Sequence, residues 1–383
     1  MILPREISAS PGPYKLDRGF SYWRDILQTV QSPHTEEVIL NLPTQLGKTT
    51  LLQCLLIALS INDPGPGMIA GPDRDEMRRV RDEIFMIIEE SKLARYIPPE
   101  RERNMVALRV QGVPWHLGWP GTSGQRLSGK SCRYVLATEC SKWRQLLSHG
   151  KSQDLARERT KAWTFFKRVM ESTPTDKDCF ITKEYLDKSD QRKFHFECPT
   201  CGHWQELRWK VHHAGEFKGC GGVTGYRTEQ GELLDPDEAQ REAYYLCEQG
   251  CRIEERSRKG MVAGGKWVPK GQHVDPETRE LAGTPERSPR IAGYNCCSLI
   301  GRTITFGRMA AAWCRSEGNP KEEQNFVNHW WGRRYVPRKR EAKPQVLAAR
   351  LRLEVEQAVA PRFVRFLTTQ VDVQPKAQGT EYP

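Results

Sequence analysis

Residues 36–50 read EEVILNLPTQLGKTT, and this stretch decides the fold. Val38-Ile39-Leu40 has the short apolar character of a buried strand. Gly47-Lys48-Thr49 closes a tight loop, and TTLLQCLLIALSI at 49–61 continues as an apolar helix. A strand that turns directly into a helix aims backbone N–H groups and the positive end of the helix dipole at one point, which suits a phosphate. Gly47 lets the backbone approach closely. The Lys48 ammonium reaches β- and γ-phosphates, and the Thr49 hydroxyl serves as a Mg²⁺ ligand. Gln45, Leu46, Gly47, Lys48, Thr49 and Thr50 are therefore assigned to binding ATP and its Mg²⁺. The full motif has glycine where Leu42 stands, so the loop is a degenerate form.

Working outward, DPGPG at 63–67 is a turn and Met68-Ile69-Ala70 a second strand. A helix with one charged and one apolar face follows over 74–92. Tyr134-Val135-Leu136 and Arg168-Val169-Met170 read as further strands, with a helix at 155–165 between them. Alternating strands and helices predict an α/β fold: a P-loop NTPase core with a parallel sheet and helices on both faces. Such a core needs an acid at the end of a neighbouring strand to organise Mg²⁺ and another to polarise the attacking water. In RYVLATECSKW at 133–143, Glu139 holds the base position, and Thr138 stands where the Mg²⁺-organising aspartate belongs. Either Thr138 meets the metal through water or the metal site is weakened. Ser172-Thr173-Pro174-Thr175 follows another strand, and Thr173 is the expected γ-phosphate sensor. The predicted catalytic set is Lys48, Glu139 and Thr173.

The chain has 383 residues, 38% of them hydrophobic, and a formal net charge of +11. That composition supports a real core, and the charge favours an anionic partner such as nucleic acid. No apolar run approaches the ~20 residues that span a bilayer, and the N-terminus lacks a secretory pattern, so an intracellular protein without a membrane partner is expected. Twelve cysteines in such a chain point to metal rather than to disulfides. Cys198 and Cys201 form one short pair, Cys247 and Cys251 another. Together they predict a closed structural Zn²⁺ site in a zinc-ribbon-like insertion, with Cys220 and His203 as spare ligands.

These motifs in order resemble the large terminase subunit of tailed phages, of the lambda-like type that joins a packaging ATPase to a nuclease. The resemblance rests on QLGKT at 45–49, DPGPG at 63–67, the strand ending in Glu139 and ESTPT at 171–175. It continues through the two cysteine pairs, GGKWVPKG at 264–271, GNPKEEQNFVNHWWG at 318–332 and TTQVDVQ at 368–374. It implies an ATP-driven motor that threads double-stranded DNA into a procapsid in the host cytoplasm. The motor would form a homo-oligomeric ring with portal protein and small terminase subunit as partners. It also implies that the strand holding Asp372 is the first strand of an RNase H-like nuclease domain, with Asp372 the first acid of a two-metal site. Because the chain ends at Pro383, Asp372 is expected to be vestigial and the chain to lack nuclease activity.

The expected divisions are an N-terminal segment (1–35), the ATPase core (36–193), the zinc-ribbon-like module (194–270), a linker and helical segment (271–360) and the start of a truncated nuclease domain (361–383). The basic run from Arg333 to Arg352 reads either as a DNA or portal contact or as a solvated linker. Arg78, Arg79, Arg81 and Arg126 are equal candidates for an arginine acting across subunits. Trp330 and Trp331 read as packing residues. The competing reading, motivated by Leu42 and Thr138, is a decayed ATPase scaffold that binds DNA or protein; a helicase-like repair ATPase is a third.

Overall fold

A computed structural model describes residues 1–8, 11–16, 19–99, 107–146, 150–210 and 220–337. They lie in one compact unit, Met1–Pro337. Asp372, the expected strand over 364–373 and most of the basic run lie outside the described residues.

Ten strands form the central sheet. In chain order they are β1 (Glu37–Asn41), β2 (Gly67–Ala70), β3 (Ala107–Val110), β4 (Val113–Gly118), β5 (Tyr134–Ala137), β6 (Lys167–Ser172), β7 (Arg192–Glu197), β8 (Trp204–Glu206), β9 (Lys266–Val268) and β10 (Ile291–Asn295). The spatial order is β8-β7-β10-β1-β6-β5-β2-β4-β3, with β9 also paired to β7. From β7 to β4 every neighbour is parallel; β3, β8 and β9 add antiparallel edges. The expected α/β class and mostly parallel sheet are thus present. β1 lies in the middle of the sheet, and β6 separates it from β5.

The parallel strands read as continuous apolar runs because both faces are covered. Every residue of β1, β2 and β5 is buried. Val38 and Leu40 join a cluster on one face with Leu136 and Val169, while Ile39 joins Val135, Ala137 and Met170 on the other. The first face is covered by α1 (Tyr22–Gln31), α2 (Lys48–Asn62) and α3 (Arg74–Glu90). The second is covered by α4 (Ser152–Arg157) and α5 (Phe180–Lys188). α3 shows how the chain dictates this: Met77, Val80, Ile84, Ile87 and Ile88 recur at helical spacing and are buried, and the Asp73 carboxylate caps the helix at the Glu76 N–H, 2.9 Å away. Each such apolar side chain contributes about 1.5–3 kcal/mol on burial. At Gly67, a Cβ would come within 2.4 Å of the Trp115 ring, which explains the glycine in a buried strand.

The stretch 194–270 is tied to the central sheet at both ends. Its first strand, β7, pairs with β10, and β9 pairs back onto β7. A small antiparallel sheet of Gly222–Thr224, Tyr244–Leu246 and Arg252–Ile253 lies between β8 and β9 in the chain. Trp209 fixes this region by stacking on Tyr226 at 5.2 Å and packing against Trp313 and Phe326 of α6 (Phe306–Ser316) and α7 (Pro320–Phe326). The stretch 271–290 is not a bare linker: Gln272–Val274 pairs with Leu281–Gly283, and the chain then enters β10, which pairs with β1. Periodicity missed β10 because IAGYN is short and glycine-containing.

Candidate nucleotide and metal sites

The loop after β1 folds as its sequence requires. Gln45 (φ 62°) and Gly47 (φ 81°) are both left-handed, and Gly47 precedes the first turn of α2. The first N–H groups of a helix have no acceptor within it, and those of Thr49 and Thr50 are among them in α2. The loop is held from outside by several contacts. Tyr22 donates its hydroxyl to the Leu46 carbonyl at 2.9 Å, and Thr44 donates to the His329 carbonyl at 3.3 Å. Leu42, the departure from the motif, is a fully buried core residue. It belongs to the main hydrophobic cluster, so an apolar core residue stands where the motif has glycine.

Lys48 is buried, donating from Nζ to the Pro43 carbonyl at 2.9 Å and to Thr173 Oγ1 at 3.2 Å. The loop lysine and the strand-end hydroxyl Thr173 are thus brought together. Burial pushes the Lys48 ammonium below its ordinary pKa, while Glu171 and Glu139 work to hold the proton on.

Glu139 leaves β5 in a left-handed conformation (φ 51°, ψ 41°). A non-glycine residue held this way stores local strain of the kind found at functional sites. The turn beyond it is pinned by Trp143 Nε1 donating to the Thr138 carbonyl at 2.8 Å and by Ser141 N–H donating to Ser172 Oγ at 3.1 Å. Lys142 Nζ lies 3.2 Å from Glu139 Oε2. Glu139, Thr173 and the loop thus meet at the carboxyl ends of three adjacent parallel strands, the place where open α/β sheets bind ligands.

Sequence reasoning missed one member of the site. Glu171, in β6, is fully buried. Its Oε1 accepts hydrogen bonds from Thr138 Oγ1 and, at 3.4 Å, from Thr49 Oγ1; its Oε2 is 3.9 Å from Lys48 Nζ. Burial raises its pKa, opposed by the Lys48 charge. The available signal was a charged residue inside the apolar run RVMES, where only a paired or functional carboxylate is tolerated.

The remaining sequence candidates distribute as follows. Arg79 pairs with Glu76 and Glu83 along α3, Arg81 pairs with Asp82, and Arg126 lies over the Trp119 ring at 5.2 Å. Trp330 stacks on Phe326 with ring centroids 6.2 Å apart, in keeping with a packing role.

Cys198, Cys201, Cys247 and Cys251 gather with all four sulfurs within 4.8 Å of one another. Tetrahedral Zn–S bonds of about 2.3 Å place sulfurs about 3.8 Å apart, and Cys201 and Cys247 are 3.8 Å apart. Gln205 Nε2 donates to Cys247 Sγ at 3.1 Å and the Gln249 N–H does so at 3.3 Å, the outer-shell support a metal thiolate receives. Burial pushes the Cys247 thiol up to about 12, and the bond to Cys201 helps bring Cys251 to about 11. Four sulfurs this close cannot all ionise without a cation between them, so the donor set fits Zn²⁺. Cys220 is not part of this group. His203 Nε2 instead meets Glu248 Oε2 at 3.1 Å.

Fold and site define the class: an α/β chain with a tight strand–loop–helix after β1 and acids gathered at the ends of the adjoining strands. The chain belongs to the gpA-type large subunits of phage terminase. The model of the phage terminase large subunit gpA ATPase domain matches residues 8–267, and that of the terminase large subunit gpA endonuclease domain matches 291–380. β10 therefore falls within the endonuclease match while pairing in the sheet of the ATPase region. No curated protein sequence matches the chain.

Among solved structures, a mutant of the large terminase ATPase domain of Thermus phage P74-26 is similar, at 11% identity and TM-score 0.40, covering 88% of this chain and 100% of that one. The large terminase of bacteriophage HK97 follows at 16% identity and TM-score 0.39, covering 49% of this chain and 38% of that one. An ADP complex of a large terminase from a thermophilic bacteriophage has 17% identity and TM-score 0.35, covering 47% and 43%. The chain thus spans well under half the length of the latter two. Among the described residues, no helix is long and apolar enough to cross a membrane.

Proposed function

We propose that this chain is an ATP-driven DNA-packaging motor subunit, which hydrolyses ATP to move double-stranded DNA into a procapsid in the host cytoplasm. The observation that carries this is the position of Lys48. Its ammonium is anchored between the Pro43 carbonyl and Thr173 Oγ1, at the mouth of the loop and beside the strand-end acids. In this reading Lys48 neutralises the β- and γ-phosphates, and the loop N–H groups orient them. Thr173 reports the γ-phosphate to Lys48 through their shared hydrogen bond. Glu139 takes the proton of the attacking water. Thr49, Thr138 and Glu171 offer the oxygen donors that would hold Mg²⁺, which supplies charge neutralisation at the phosphates when bound. The four cysteines would hold a structural Zn²⁺, leaving no open position for chemistry.

Membership in the terminase family supports DNA as the polymer moved, with portal protein, small terminase subunit and further copies of the chain as partners. The net charge of +11 agrees with a DNA partner. The test is steady-state ATP hydrolysis by the purified chain with and without double-stranded DNA, beside Lys48→Ala. Hydrolysis that rises with DNA and falls to background in Lys48→Ala is expected. Equal turnover in both proteins would overturn the reading. Salt-sensitive DNA binding without any hydrolysis would transfer the function to a binding scaffold.

A further inference from the structure

In nucleotide-binding cores of this kind, an aspartate at the end of the strand carrying the catalytic glutamate organises the metal. Here that position is Thr138, which has no charge. The negative charge is present one strand over. β6 lies between β1 and β5, so its carboxyl end falls between the phosphate loop and Thr138. Glu171 sits there with no exposed surface. Its carboxylate is bridged by two hydroxyls, Thr49 from the loop and Thr138 from β5.

The bland account is that Glu171 is a counter-ion for Lys48. The geometry is poor for that role. Lys48 spends its hydrogen bonds on Pro43 and Thr173, and its Nζ stands 3.9 Å from Glu171 Oε2. Oε2 is buried with no hydrogen-bond partner among the described residues. A buried carboxylate oxygen left in this state is costly. Together with the Thr49 and Thr138 hydroxyls it forms a set of hard oxygen donors, the type that Mg²⁺ takes beside a nucleotide's phosphates.

We infer that Glu171 supplies the carboxylate that holds the nucleotide's Mg²⁺, in place of the acid missing at position 138, and that Thr138 is the residue that positions it. The charge required by the metal has moved from one strand end to the adjacent one, and the vacated position has become the hydroxyl that orients it. This explains both the threonine at 138 and the glutamate at 171 as one arrangement, and it rests on the nucleotide-site reading above.

The experiment measures binding of a fluorescent, slowly hydrolysed ATP analogue with Mg²⁺ and with EDTA, together with Mn²⁺ binding followed by its electron paramagnetic resonance signal. The proteins are wild type, Glu171→Gln, Thr138→Val and the swap Thr138→Asp/Glu171→Gln. The wild type is expected to bind the analogue more tightly with the metal. Glu171→Gln is expected to keep its affinity in EDTA but lose about 10- to 100-fold of metal-dependent affinity, the range for disturbed metal sites. Thr138→Val should lose part of it, and the swap should regain it along with the Mn²⁺ signal. If Glu171→Gln keeps the full metal-dependent gain and only melts at lower temperature, Glu171 is a counter-ion and the inference falls alone. If the wild type, shown to be folded, binds no nucleotide under either condition, the nucleotide-site reading falls with it. Should Glu171→Gln fail to fold, an unchanged metal-dependent gain in Thr138→Val would overturn the inference.

Discussion

Replacing Arg157 by methionine should destabilise the sheet without weakening the nucleotide site. Arg157, at the end of α4, bridges two carboxylates that are almost wholly out of solvent. Its guanidinium meets Glu37 through Nε at 3.1 Å and through Nη2, and Glu184 through Nη2 at 2.6 Å; the two acids are 2% and 4% exposed. Burial alone would lower the Arg157 pKa, yet Glu37 and Glu184 together raise it above the ordinary guanidinium value. Removing one partner of a buried pair typically costs about 3–5 kcal/mol, mostly because the remaining charge is stranded. Here Arg168 still reaches Glu37 at 2.9 Å and Lys188 still reaches Glu184 at 2.9 Å, which places the expected loss near the lower end, about 3 kcal/mol. At about 2–4 °C per kcal/mol for a chain of this size, the melting temperature should fall by about 6–12 °C.

Glu37 opens β1, whereas the phosphate loop leaves its far end, about 13 Å away at ~3.3 Å per residue. Nucleotide affinity of the folded variant should therefore stay within about twofold, well under the 1.4 kcal/mol of a tenfold change. Arg157→Lys keeps the charge but not the planar fork, so it should lose an intermediate amount. Thermal unfolding followed by circular dichroism, with nucleotide titration at 20 °C as the second readout, checks both parts. A loss below about 1 kcal/mol, the scale of an exposed pair, would refute the argument that this cluster behaves as a buried clamp. So would a large fall in nucleotide affinity with stability unchanged.

Glu139→Gln should bind ATP as tightly as wild type but hydrolyse it about 10²- to 10⁴-fold more slowly, the usual contribution of a general base. Single-turnover kinetics read this directly, and an undiminished rate would remove Glu139 from the reaction. Cys247→Ser should lower bound zinc, measured by atomic emission on dialysed protein, from one ion per chain to well below one. Because β7 carries the first cysteine pair at its end and pairs with β10 in the central sheet, the same variant should also melt earlier. Unchanged zinc content and melting would return the four sulfurs to the status of ordinary thiols.

What could be read in the sequence, and what could not, divides along the range of the interactions. The loop after β1 was legible because strand, loop and helix are contiguous, and each residue type answers to its own backbone: glycine for a left-handed φ, threonine for the first helical turn. The four cysteines were legible as two short pairs, each local, although only the fold brings Cys201 within 3.8 Å of Cys247, 46 residues away. The boundaries were less legible. β10 is a five-residue parallel strand whose partners are 254 and 102 residues away in register, and nothing local in IAGYN announces that it joins the central sheet. Its Asn295 then donates to the Asn41 carbonyl at 2.7 Å and to the Gly332 carbonyl at 2.8 Å, tying the end of β1 to the NHWWG segment.

Glu171 illustrates the same division within the site. Read locally, Thr138 is a missing acid and Glu171 is a stray charge at the end of a strand, so each looks like a defect. The parallel register of β5, β6 and β1 sets the three strand ends side by side, with Ala137 opposite Met170 and Asn41 opposite Ser172. One step further along β5 and β6, Thr138 and Glu171 become hydrogen-bonded neighbours. On the proposed reading of Glu171 the apparent loss and the apparent surplus form one arrangement, and the argument for a decayed site would lose one of its two sequence premises. The other, Leu42, carries less weight for a different reason: its side chain is buried in the core, and the left-handed turns at Gln45 and Gly47 form without a glycine there.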